Sequence, residues 1–212
     1  MQKIWIAVAA ALLCLSPTVA RAQDVTPAQQ ICNPKTTWVK LESRKLWAQH
    51  AAWTDQAIRA ILDDTPAQGE IVDRLLRNQD DIGDLFKAFY GNDAGAEVAR
   101  ILRGHIQLAG EVLTALRNDD KAAYKEAMTK WYANGDEFAR YLNSLNPYWD
   151  TDVVRKMMEM HLGIIEKQAE AHHSQQWDKE IHFSDKGDKH LEEMADFLAA
   201  GIINQFPGQF EN

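Results

Sequence analysis

The chain has 212 residues, 46 % of them hydrophobic and 25 % charged, with a formal net charge of -8. An acidic balance without any basic block argues against nucleic acid and anionic membrane as partners, since both select a positive face. Two cysteines, Cys14 and Cys32, are too few for a disulfide scaffold.

Met1 to Ala22 reads as a cleaved secretory signal. Lys3 supplies the positive start, Ile4 to Leu15 the apolar run, and Ala20-Arg21-Ala22 a small-x-small cleavage site before Gln23. The run is shorter than the roughly 20 apolar residues that span a bilayer. Leu13 stands where a lipoprotein signal ending at Cys14 needs a small residue. The expected location is periplasmic or secreted. Cleavage removes Cys14, leaving Cys32 with no intrachain partner. It also removes Lys3 and Arg21, so the charge goes from -8 to about -10.

Residues 23–36 are expected to form a flexible N-terminal segment, and residues 37–212 a single helical-bundle domain large enough to bury a full core. Strong helix formers dominate, and alternating β-branched runs are absent. Six helices are predicted in order: roughly Thr37 to Leu62, Pro66 to Phe89, Ala94 to Arg117, Asp120 to Leu145, Thr151 to His173 and Gln176 to Asn204. Breaker chemistry separates them at Asp63-Asp64-Thr65-Pro66, Tyr90-Gly91-Asn92-Asp93, Asn118-Asp119-Asp120 and Asn146-Pro147, and more weakly at Ser174-Gln175. Short connections predict an all-α bundle of three antiparallel hairpins.

Two series of residues repeat along these helices. Asn78, Asn134 and His190 are spaced by 56 (134 − 78 and 190 − 134), and His50, His105 and His161 by 55 and then 56. A shared period near this length marks a repeated supersecondary unit. Folding each hairpin about its turn brings the two series to one height. The midpoint of 50 and 78 is 64, that of 105 and 134 is 119.5, and that of 161 and 190 is 175.5, which supports the weakly marked third turn. One helical turn after each residue of the Asn series comes an acid: Asp81, Glu137 or Glu193.

The histidines sit in apolar contexts, LWAQHAAW, ILRGHIQL and MMEMHLGI, and are expected to be partly buried and hydrogen-bonded. If the three hairpins close around one axis, His50, His105, His161 and His190, with one or more of Asp81, Glu137 and Glu193, form a ligand set for zinc, iron, copper or manganese. If each histidine is satisfied within its own hairpin, the repeated residues are structural plugs in an interaction or small-ligand module. A metal-dependent enzyme is a third reading. None of the repeated histidines has the acid three residues before it that the Glu-x-x-His order of dinuclear carboxylate sites requires, and His190 to Glu193 runs in the reverse order. Met157, Met158 and Met160 beside His161 offer thioethers to copper(I), although methionines at helical spacing more often fill a core. His172 and His173 are expected at the surface. Trp47, Trp53, Trp131, Trp149 and Trp177 are expected on or near apolar faces, and Phe206 to Phe210 at one bundle end. No phosphate loop, H-E-x-x-H pair or nucleophile elbow is present.

The segments LWAQHAAWT, LLRNQDDIG, WYANGDEF and GIINQFPGQF resemble an uncharacterised family of small secreted bacterial all-helical proteins, over about Leu46 to Phe210. Gly135 departs from the alanine expected there between Asn134 and Asp136. The resemblance implies a fold and no activity.

Overall fold

A computed structural model describes residues 33–211. The predicted signal and Cys32 lie outside the described residues. Among the described residues six α-helices follow one another: α1 (Pro34–Leu62), α2 (Gln68–Tyr90), α3 (Asn92–Arg117), α4 (Lys121–Leu145), α5 (Thr151–His173) and α6 (Trp177–Gln205), closed by a 3-10 turn at Pro207–Gln209. The protein is an all-α bundle, and each helix boundary falls within three residues of its expected place. The largest difference is at α1, which begins at Pro34 rather than Thr37. There the Asn33 side chain accepts from the N–H groups of Lys35 and Thr36, and proline at the first helical position gives up a donor that has no partner anyway.

The three hairpin turns share one backbone solution. Asp64, Asp119 and Gln175 are left-handed, with φ of 52, 54 and 56°. After each of them the next N–H bonds back to a carbonyl five residues earlier: Thr65 to Ala60, Asp120 to Ala115 and Gln176 to Ala171. This is a helix-terminating turn that satisfies the last free carbonyls. Ser174-Gln175, weak in composition, thus turns like the other two.

Consecutive helices pack side by side, α6 packs on α1, and α1, α3 and α5 also touch one another. The six helices therefore close into a ring, with the first helix of each hairpin innermost, an arrangement compatible with three repeated hairpins. Two close approaches set its dimensions. A Cβ on Gly83 would lie 2.6 Å from the Gly95 carbonyl oxygen, which brings α2 and α3 into backbone contact. A Cβ on Gly201 would lie 1.9 Å from the Trp149 indole nitrogen, so α6 offers a flat seat to a fully buried ring.

The two ends of the bundle differ in chemistry. At one end Phe206 and Phe210 stack around Phe89, with centroids 6.1 and 6.0 Å away, and Asn33 Nδ2 donates to the Phe210 carbonyl at 2.7 Å. The C-terminal aromatics thus cap the bundle. At the other end the hairpin turns are tied by ions. Arg117 bonds Asp64 and the Ile61 carbonyl, His173 meets Asp119 at 3.4 Å, and Arg59 bonds Glu180 at 2.7 Å. His172, expected at the surface, is instead only 6 % exposed. Its Nε2 is 3.0 Å from Asp63 and its Nδ1 3.1 Å from Glu180, so the seam where α6 meets α1 encloses it. Burial raises the Glu180 carboxyl, but the bonds and charges of Arg59 and His172 outweigh that and hold it below its usual range. Trp47, Trp131 and Trp149 are core residues, whereas Trp177 is half exposed.

Candidate functional site

Ring closure carries the histidines of α1, α3 and α5 to the axis. His50, His105, His161 and His190 are at most 5 % exposed. The His161 ring is the hub: its centroid lies 5.8 Å from His50, 5.9 Å from His105 and 6.3 Å from His190. Their helical neighbours explain the placement. Ile101 and Leu102 precede His105 on its inward face, and Met158, Leu162 and Ile165 flank His161, all buried.

The Asn series fastens each outer helix to the inner one at the same place. Asn78 Nδ2 donates to the Leu46 carbonyl at 3.0 Å, Asn134 Nδ2 to Ile101 at 3.1 Å, and His190 Nε2 to Met157 at 2.9 Å. Each acceptor lies one helical turn before the histidine of its own hairpin. Asn134 does more, because its amide oxygen meets His105 Nδ1 at 3.0 Å. The bond to Ile101 fixes which end of the amide is nitrogen, so the oxygen faces the imidazole and Nδ1 must carry the proton. His105 Nε2 then holds a free lone pair, and it is buried without a partner. His50 Nδ1 lies 3.2 Å from Gln79 Nε2. In the third hairpin histidine replaces asparagine at 190, and His161 Nδ1 is left buried and unpartnered.

The rings of His50, His105 and His161 are neutral at physiological pH. Burial, with the neighbouring His105 adding to it, lowers His50 to about 3. Burial lowers His105 to about 4 against the Asn134 bond. His161 is pushed well below its ordinary value by burial and then by repulsion from His105, His50 and His190. A neutral imidazole is the form that binds a metal ion or exchanges hydrogen bonds without moving a proton first.

Beside the cluster, towards the hairpin turns, lies a cavity of about 30 Å³ walled by His50, His105, His161, Trp131, Thr54 and apolar residues of α1, α2, α3 and α5. Its walls carry further orphans, since Thr54 Oγ1 and Trp131 Nε1 are both buried without partners. Neither residue stands out in the sequence as a site residue. The available signal was spacing: Thr54 is one turn beyond His50 in LWAQHAAWT, and Trp131 one turn before Asn134.

The acids do not join the histidines. Asp81 is exposed, Glu137 pairs with Arg100 at the surface, and Glu193 is exposed beside Lys189. The reason is helical phase. From the Asn series a step of three turns about 60° to one side, whereas the buried arc runs to the other side through the steps of four and five, at about 40° and 140°, which are Ile82 and Gly83, Phe138 and Ala139, and Met194 and Ala195, all buried. Among the described residues, no three His, Cys, Asp or Glu side chains stand close enough, as placed, to hold a metal ion. Met158 is core and Met160 is 58 % exposed, turned away from the cluster's interior.

Compared with family models, with curated proteins and with solved structures, the chain matches none.

Proposed function

We propose that the protein is an exported helical-bundle binding protein that takes up a transition-metal ion at the histidine cluster. The observation that carries this reading is the pair of unpartnered nitrogens, His105 Nε2 and His161 Nδ1, on neutral rings at the hub of four converging imidazoles. Leaving such a buried polar atom unpaired costs about 1 to 3 kcal/mol, a cost that a bound ion would remove. Asn134, holding His105 Nδ1, resembles the outer partner that orients a metal-bound histidine. His105 and His161 are the primary donors, with His50 and His190 the next nearest rings. Without a carboxylate the set favours zinc or copper, which imidazole suits, over manganese, which prefers oxygen.

Elemental analysis of the mature protein, exported to a periplasm and purified without chelators, tests this. Near-stoichiometric metal that falls at least tenfold in His105→Ala is expected, while equal metal content in the two proteins would contradict it. The structural-plug reading is supported by the Asn78, Asn134 and His190 bonds, which brace the hairpins with or without an ion. It expects metal-free protein of undiminished stability and a large thermal loss in His105→Ala.

A further inference from the structure

The outer face of α1 is apolar where a bundle helix is ordinarily polar. Trp38, Leu41, Lys45, Ala48 and Ala52 recur at steps of three and four, on the side away from the buried Val39, Leu46 and His50. Trp38 is 50 % and Leu41 63 % exposed, and Ala48 and Ala52 are exposed as well. One half of this stripe protrudes and the other half is flat.

The flat half borders a groove. About 420 Å³ of open volume lies over the seam of α1 and α6, floored by Ala48, Ala51 and Ala52 and edged by Asp55, Asp188 and Glu192. Partial burial raises the Asp188 carboxyl, and repulsion from Asp55, Asp185 and Glu192 raises it further, so this edge favours an incoming cation. The protruding half carries one, because Lys40 sits on the α6 side of α1, within electrostatic reach of Asp196. Large side chains and a lysine at one end, with a groove and acids at the other, are the parts of a self-complementary surface.

We propose that α1 pairs with α1 of a second copy, antiparallel, about a two-fold axis crossing it at Lys45. Trp38 of each copy then falls on Ala52 of the other, since both stand seven residues from the axis (45 − 38 and 52 − 45), and Leu41 falls beside Ala48. Lys45, at the axis, is paired with Glu42 of its own helix. The axis also keeps both α6 helices on the same side. Ser43 bonds the Ala195 carbonyl and Ser184 bonds Asp55, so Asp188 and Glu192 stand level with residues 46–51 of α1. By the same symmetry residue 40 of the other copy comes level with residue 50, which sets Lys40 against that acidic edge. A parallel pairing would put Trp38 on Trp38 and leave both grooves unfilled. The dimer requires nothing of the histidine axis and stands apart from the metal-binding reading.

Sedimentation equilibrium of the mature chain, with chelator and with a reductant that keeps Cys32 from cross-linking, tests it. An interface of one helix pair is small, so a reversible dimer is expected, half formed at roughly 10 to 100 µM. Leu41→Asp and Ala52→Glu, in opposite halves of the stripe, should each weaken it about tenfold or more, because each buries an unpaired charge twice per dimer. Lys40→Glu should weaken it about fivefold, and Glu192→Lys added to the same chain should restore it. A monomer at every concentration up to about 1 mM would overturn the proposal and leave the stripe to residues 23–32 or to another protein. A dimer that tolerates either Leu41→Asp or Ala52→Glu would be paired through another surface or in another register, which also overturns it. A dimer weakened by Lys40→Glu but not restored by Glu192→Lys would show that Lys40 does not face that edge, and the antiparallel pairing would fall.

Discussion

Asn134 braces two helices and orients one imidazole with a single amide, and its removal separates these effects. In Asn134→Ala the His105 Nδ1 proton and the Ile101 carbonyl lose their side-chain partner. The carbonyl keeps its helical bond, so the cost is chiefly that of the imidazole, about 1 to 3 kcal/mol. Urea denaturation of the metal-free protein measures it, and a change below a few tenths of a kcal/mol would show that the ring re-pairs. The neutral histidines set a second expectation. Their folded values lie below the unfolded value near 6.5, so the unfolded chain binds protons that the folded one refuses. Stability is then fully present above about pH 6.5 and declines as pH falls towards 4, by about 1 kcal/mol per pH unit for each such ring. Denaturation midpoints measured from pH 7.5 to 4.5 should fall steeply, and replacing His161, the hub, by an uncharged residue of similar volume such as Gln should flatten the slope by about one proton.

At the scale of helices, two glycines with the same local conformation have opposite roles. Gly201 is the seat of the Trp149 ring, and Gly201→Ala puts a methyl group inside the indole. Overpacking of this kind costs about 1 to 3 kcal/mol, and more where the ring has nowhere to go. Gly110 has open space at the same position, and Gly110→Ala should stabilise the helix by about 1 kcal/mol. Thermal denaturation of both variants checks the pair, and the same sign for both would refute the packing described for α6. The turns were legible because their chemistry is local: a polar residue reaching a left-handed conformation after a helix writes itself into composition at Asp64 and Asp119. At Gln175 it does so faintly, and only the histidine spacing revealed the turn. The acids misled for a related reason. An i, i+3 step is near enough to share a face yet far enough to miss an axis, and the apolar pairs at Ile82-Gly83 and Phe138-Ala139 occupy the direction that counts.

For the molecule as a whole, the question composition left open was whether three hairpins line up or close, since local spacing is the same in both. Closure is decided by contacts between residues far apart in the chain: Arg44 with Asp196 at 2.6 Å, Ser43 Oγ with the Ala195 carbonyl at 2.9 Å, and Gln168 and Ser184 with Asp55 at 2.6 Å each. None of these pairs is periodic, so the repeat could not announce them. The burial of His172 follows from the same seam, as does its misreading as a surface residue. The orphans at Thr54 and Trp131 were equally hidden, because what distinguishes them is a partner they lack rather than a motif they belong to.

The contact of Asn33 with the Phe210 carbonyl has one more consequence. It places the start of α1 and the turn after α6 within a hydrogen bond of each other, at the end of the bundle opposite the three alike turns. The order in which the hairpins are written is therefore nearly arbitrary, and what the fold requires is their cyclic sequence. A short flexible joint between residues 33 and 210, with the backbone cut instead at Asp119, should give a permuted protein with the same helical circular-dichroism spectrum and a cooperative melt. Cutting within α3 should not, because that would sever a helix that lines the axis.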